Sequence, residues 1–136
     1  MSTTPTTISR NWHFLDANHQ VLGRLATRAA QLLMGKHKAG FVRYHDHGDY
    51  VVVVNARQIQ VTGNKETQKT YDSYSGYPGG LKQTTVKMLR AKHPERILEH
   101  AIFGMLPKNR LAASFKRRLK IFADDQHPHE SQLKSK

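Results

Sequence analysis

The sequence predicts an α/β fold: a single three-layer domain with a largely parallel sheet of about four strands, helices on both faces, a basic C-terminal helix and polar tails. Three observations predict it. Strand-like and helix-like segments alternate along the chain, the pattern of a layered α/β domain. Tyr50–Asn55 contains an unbroken run of valines, which suits a strand buried on both faces. The chain has 136 residues and a mass of 15.5 kDa, room for one ordinary core and not two.

Residues 1–10 are polar, rich in Thr with one Pro, and read as a flexible N-terminal arm. They lack the basic and apolar regions of a secretory signal. Residues 11–123 read as the folded domain. Its first strand is Asn11–Asp16, with Trp12, Phe14 and Leu15, and Asn18-His19 supply a turn. Leu22–Met34 reads as a helix because Leu22, Leu25, Ala26, Ala29, Leu32 and Leu33 follow the three-and-four spacing of one apolar face. Arg24, Arg28 and Gln31 fall on the opposite side, and Gly35 is placed to end the helix in a left-handed cap.

After the valine strand, Gln58–Thr62 alternates Ile59 and Val61 with polar residues and predicts another strand, which Gly63-Asn64-Lys65 terminates. Lys69–Tyr74 predicts a more exposed strand, and the glycines and proline of Ser75–Gly80 predict a loop. Thr84–Lys92 and Pro94–Gly104 read as helices; Pro94 suits a first helical position, and Glu95 complements the positive end of the dipole. Arg110–Arg118 reads as a short basic helix and Leu119–Phe122 as the last strand. Residues 124–136 read as an extended C-terminal tail.

Charge carries the strongest functional signal. Lys plus Arg number 22 against 10 Asp plus Glu, giving +12 and a pI near 10.2. Such a surplus on a small body repels itself, and a polyanionic partner, most commonly nucleic acid, explains it. The cations cluster. Met105–Lys120 holds Lys108, Arg110, Lys116, Arg117, Arg118 and Lys120 with no acid. On a helix Arg110, Arg117 and Arg118 fall broadly on one side, and Leu111, Phe115 and Leu119 on another, so one face can dock while the other meets phosphates. A solvated helix face is the alternative, but such faces ordinarily interleave acids.

Lys36, His37 and Lys38 follow the first helix, with Arg43 nearby. Cations there either complement the negative helix end or bind phosphate. Ser75–Lys82 also has two readings. Its glycines let backbone amides approach a phosphate, and Tyr71, Tyr74 and Tyr77 interleave with Lys65, Lys69 and Lys82 as base stacking requires. It equally reads as a glycine turn with half-buried tyrosines.

Other chemistry is poorly supported. Without cysteine there are no disulfides, thiolate nucleophiles or Cys-based zinc sites. Gly63-Asn64-Lys65 lacks the spacing of a phosphate-binding Walker loop. His45-Asp46-His47 and His127-Pro128-His129 could supply metal ligands, but more would have to converge from elsewhere, so neither pair makes a metal site by itself. No acid/base couple stands out, and no apolar run approaches a membrane span. The expectation is a protein with no catalytic residues, no metal or cofactor, no small-molecule substrate and no membrane contact. The rivals are an RNA-processing or phosphoryl-transfer enzyme, which needs convergent ligands, and a DNA-binding regulator, which needs a recognition helix and dimer symmetry.

Ordered motifs cover nearly the whole chain. They run from Trp12 with Asp16-Ala17 through Val21-Leu22-Gly23-Arg24-Leu25-Ala26, Gly35-Lys36-His37-Lys38 and Gly48–Ala56. They continue with Val61–Lys65, Gly76-Tyr77-Pro78-Gly79-Gly80, Gly104–Leu111, Leu119-Lys120 and His127-Pro128-His129. In order and spacing they resemble the bacterial-type large-subunit ribosomal protein L-thirteen family. The resemblance implies an α/β domain that binds large-subunit ribosomal RNA, sits among neighbouring large-subunit proteins and supports early assembly and translation without catalysis. It implies a cytoplasmic, ribosome-bound protein of the bacterial or organellar type. It implies RNA contact for Lys36, His37, Lys38, Lys65, Tyr77, Lys108, Asn109 and Arg110, adding Asn109 to the residues that charge singles out. The chain departs from the family's usual pattern at Arg43, Tyr74, Ala112-Ala113 and Asp124.

Overall fold

The computed structural model describes residues 9–134. Its centre is strand β2 (Tyr50–Val54), flanked in parallel by β1 (Trp12–Asp16) and β5 (Leu119–Ile121), in the order β1-β2-β5. Trp12 pairs with Tyr50 and Asp16 with Val54, while Val51 pairs with Leu119 and Val53 with Ile121. Parallel neighbours need a crossover, and helix α1 (Leu22–Met34) supplies the one between β1 and β2. Val51 to Val54 are all completely buried, as an unbroken valine run requires of a central strand.

Side chains alternate across the sheet. One face presents Leu15, Val51, Val53 and Leu119 to the main core. Against it pack α1, α4 (Glu95–Met105) and α5 (Leu111–Arg117), with Leu25, Ala29, Leu33, Ile97, Leu98, Ile102 and Phe115 buried. The second face carries Trp12, Phe14, Tyr50, Val52 and Val54. There Trp12 stacks on Tyr50 at 4.3 Å and on His129 at 5.3 Å, while His127 lies near Phe14 and Phe122. The segment after β5 is therefore not an extended tail. It folds back, forms the short helix α6 (Glu130–Lys134) and packs on β1. A returning segment, not a full helix layer, covers the second face.

The sheet has three strands rather than about four. Gln58–Thr62 does not join it. Asn55 adopts a left-handed conformation (φ 59°), and the chain turns into a 3₁₀ segment, Ala56–Gln58. Only a single bridge, Val21 to Gln60, remains of the predicted strand. It serves α1, since the Leu22 N–H donates to the Gln60 carbonyl at 2.9 Å and no side chain caps that helix.

The third predicted strand belongs to a separate hairpin of β3 (Thr70–Tyr74) and β4 (Leu81–Thr85), antiparallel, with Thr70 opposite Thr85 and Tyr74 opposite Leu81. The strand Leu81–Thr85 takes the first turn of the predicted Thr84–Lys92 helix, which becomes α3 (Val86–Lys92). The Thr85 hydroxyl oxygen caps α3 by accepting the Met88 N–H. Arg90 ties the hairpin's base to the body. Its guanidinium grips Glu66, in helix α2 (Lys65–Gln68), at 2.9 and 3.1 Å, and donates to the Arg57 and Ile59 carbonyls. Among the described residues no helix is long and apolar enough to cross a membrane.

Candidate nucleic-acid interface

The predicted cations gather where the loop after α1 meets the loop before α5, at the N-terminal edge of the parallel sheet. Gly35 (φ 83°) ends α1 in the left-handed cap the sequence predicts, its N–H donating to the Gln31 carbonyl. A Cβ on Gly35 would lie 2.5 Å from the His47 carbonyl, and one on Gly48 1.7 Å from the Leu33 carbonyl. Only glycine lets residues 35–48 pass this close to the helix end.

Two acids, Asp46 half-buried and Asp49 fully buried, hold that loop. Asp46 receives both guanidinium nitrogens of Arg118 and accepts the Gly48 N–H at 3.1 Å; Arg10 adds a contact at 3.4 Å. Burial pushes the Asp46 carboxyl up, but the Arg118 and Gly48 hydrogen bonds and the charges of Arg118 and Arg10 outweigh it and hold it below its usual value. Asp49 is fully buried. One oxygen accepts from Lys38 Nζ at 2.7 Å and the Asn11 N–H at 3.1 Å; the other faces His13 Nε2 at 2.8 Å and His37 Nε2 at 2.9 Å. Burial again pushes this carboxyl up, and the Lys38, His13 and Asn11 hydrogen bonds and the Lys38 charge bring it below its usual value. His13, His37 and Asp49 are the one convergent set of metal-type ligands among the described residues, with ligating atoms within 4.8 Å of one another. The Lys38 ammonium on the same carboxylate supplies the positive charge a cation would bring, and the set works as a hydrogen-bonded anchor.

Arg118 therefore departs from its expected role as an outward phosphate contact. It is 7% exposed and also donates to the Leu33 carbonyl at 3.2 Å. The reason is helical spacing: Arg118 keeps helical dihedrals (φ −86°, ψ −6°) and falls three residues after buried Phe115 on the inward face, with its guanidinium over the Phe115 ring at 5.5 Å. Lys38 is likewise committed to Asp49, and Arg10 is fixed rather than part of a loose arm. Positions 1–8 of that arm and 135–136 of the tail lie outside the described residues.

The other predicted residues are exposed: Arg24 and Arg28 on α1, Lys36, His37 and Arg43 on the loop, Lys108, Asn109 and Arg110 before α5, and Lys116 and Arg117 on it. Of these, Arg24, Arg28, Lys36, Arg43, Lys108, Arg110, Lys116 and Arg117 have no carboxylate within 4.0 Å among the described residues. Asn109 Oδ1 accepts the Ala112 N–H at 3.2 Å, capping the start of α5. Between the two loops lies a cavity of about 340 Å³, to which Met34, Lys36, Phe41, Arg43, Asn109 and Phe115 contribute.

The hairpin forms a second cluster. Lys65, Lys69 and Lys82 are exposed without acidic partners among the described residues, and Lys69 lies over the Tyr71 ring at 5.5 Å. Tyr71 is half-buried and stacks on His100 at 5.0 Å, so it belongs to the fold. Tyr74 and Tyr77 are 66% and 75% exposed and make no ring contact among the described residues. Both rings therefore stand at the open side of the hairpin, opposite the contacts that tie it to the body.

The histidine motifs are structural. His47 is buried, His127 and His129 pack on the second sheet face, and Asp46 between His45 and His47 belongs to Arg118. Burial pushes the His129 imidazole down, and the Lys120 and His127 charges add to this. Sequence reasoning did not single out Asp46, Asp49, His13 or Arg90, whose roles arise only when distant segments meet.

Comparison with known proteins agrees. Residues 10–128 match the family described as ribosomal protein L13. The chain is 50% identical over 129 residues to "Large ribosomal subunit protein uL13" of Solibacter usitatus, covering 95% of this chain and 90% of that protein. It is 51% identical over 131 residues to the protein of the same name from Lawsonia intracellularis, covering 96% and 91%. With Symbiobacterium thermophilum the identity is 51% over 128 residues, covering 94% and 90%. The chain belongs to the ribosomal protein L13 family, a family of structural ribosomal proteins and not of enzymes.

Proposed function

We propose that this chain binds large-subunit ribosomal RNA, takes its place among neighbouring large-subunit proteins in the cytoplasm and supports early assembly of that subunit. The single observation that carries the reading is a division of labour among the cations. Those the fold needs, Arg10, Lys38, Arg90 and Arg118, are paired with acids. The cations without an acidic partner among the described residues include exposed ones on α1 and the loop after it, before and along α5, and at the hairpin. Unpaired cations clustered on a rigid body release condensed counterions when they meet phosphates, and that release supplies affinity.

The parallel sheet and buried ion pairs fix where the cations stand. Shape, ribose hydroxyls and stacked bases then supply specificity. RNA strands that would repel one another are held together where they converge on the two clusters. Binding of the purified chain to purified large-subunit rRNA, measured across salt concentrations, tests this. A steep fall of affinity with salt, and co-sedimentation with the large subunit in a lysate gradient, are the expected results. Affinity indifferent to salt, or sedimentation away from ribosomal particles, refutes the reading.

A further inference from the structure

We propose that the cavity between residues 34–45 and 107–115 receives one unstacked nucleobase of the bound RNA, with the adjoining phosphates held at its rim. This rests on the rRNA reading above and gives that contact a specific form. Buried Met34 and Phe115 and half-buried Phe41 and Leu111 give the cavity an apolar, partly aromatic lining. Its volume, about 340 Å³, falls in the range of pockets for small planar ligands. Protein–RNA recognition commonly splays out a base, stacks it on an aromatic ring and bonds its polar edge.

The polar groups at the cavity suit such an occupant. Among the described residues, Lys36 and Arg43 are exposed at its lining with no acidic partner, and the lining includes no carboxylate. Lys108 and Arg110 flank Asn109 in the chain. Asn109 uses its Oδ1 for the Ala112 N–H, which leaves the amide's N–H donors for the carbonyl or ring-nitrogen acceptors of a base. An apolar side chain from a neighbouring protein would fill the lining but leave this collar of positive charge unmatched. A nucleotide matches both. The pocket is also preformed: Gly35, Gly48 and the Asp46–Arg118 pair fix the loop, so little ordering remains to be done on binding.

The test is affinity for purified large-subunit rRNA across salt, comparing wild type with Phe41→Leu, Asn109→Asp and Arg43→Gln. Phe41→Leu keeps apolar volume and removes the ring. Asn109→Asp keeps a capping oxygen, removes the donors and repels base acceptors; it serves alone if Phe41→Leu does not fold by circular dichroism. Loss of one stacked base is about fivefold to a hundredfold in affinity. The expected result is a loss of at least about fivefold for both variants, with the Phe41→Leu salt slope unchanged because no phosphate contact is removed. Arg43→Gln is expected to lower the salt slope by about one. Steep salt dependence in wild type, with either folded pocket variant binding within less than about fivefold of it, overturns the nucleobase site and leaves the rRNA reading standing. Wild type that does not bind rRNA overturns both.

Discussion

Adjacent arginines at the end of α5 give the sharpest test of the structure. Arg117 is exposed and unpaired among the described residues, whereas Arg118 is buried between Asp46 and the Leu33 carbonyl. Arg118→Gln would leave Asp46, whose side chain is 16% exposed, with Arg10 at 3.4 Å and the Gly48 N–H at 3.1 Å. Removing one partner of a buried ion pair costs about 3–5 kcal/mol. The remaining contacts of Asp46 and its partial exposure put this case at the lower end, about 3 kcal/mol. For a domain of this size each kcal/mol lowers Tm by about 3–5 °C, so a drop of about 10–15 °C is expected. Arg117→Gln touches no internal partner and is expected to change stability by less than about 0.5 kcal/mol. In salt-dependent rRNA binding the order reverses. Arg117→Gln lowers the slope by about one if it meets a phosphate, and Arg118→Gln, measured well below its own Tm, leaves the slope alone. Urea and thermal melts followed by circular dichroism supply the stability arm. An Arg118→Gln protein within about 1 kcal/mol of wild type, with a reduced salt slope, would show Arg118 to be a surface contact and refute the buried-anchor account.

Acid should loosen the same region. Both Asp46 and Asp49 have folded values below the usual carboxylate value, so their contribution is complete above about pH 5, begins to fade as pH falls through the usual value, and is lost below the lowered folded values. The urea midpoint should stay level from pH 7 to about pH 5 and then drop, and Asp46→Asn should flatten that drop. Gly48→Ala should destabilise by about 3 kcal/mol or more, since its Cβ would overlap the Leu33 carbonyl. Gly63→Ala, at φ 66° but with open space around it, should cost only about 1–2 kcal/mol in the same urea titration. Tyr77→Ala should leave Tm unchanged while weakening rRNA binding by about 1–3 kcal/mol, and unchanged affinity would mark the loop as a simple turn.

Several elements were legible in the sequence because their signals are local. The spacing of Leu22, Leu25, Ala29 and Leu33 gave α1, Gly35 its end, and the valines of β2 their two-sided burial. Strand β4 escaped notice because Leu-Lys-Gln-Thr-Thr lies mostly exposed and carries no hydrophobic alternation. Ile59 and Val61 do alternate, yet the left-handed turn at Asn55 directs that segment away from the sheet. Exposed cations were found by charge clustering. Charge alone does not distinguish Arg117 from Arg118; the difference lies in Arg118's three-residue spacing from Phe115, which puts it on the inward face, and in an aspartate 72 positions earlier. The same limit hid Asp49, which meets His13 only because β1 and β2 pair in parallel.

The central position of β2 has a consequence for how the protein is made. During synthesis the valine strand emerges long before β5, its partner on one side, and before the histidines that cover its second face. At about 5–20 residues per second, the nascent chain carries an incompletely shielded β-branched segment for several seconds. Hairpin, α3 and α4 are all translated in that interval. Folding of the sheet thus reaches completion late in translation, once β5 has paired with the valine strand.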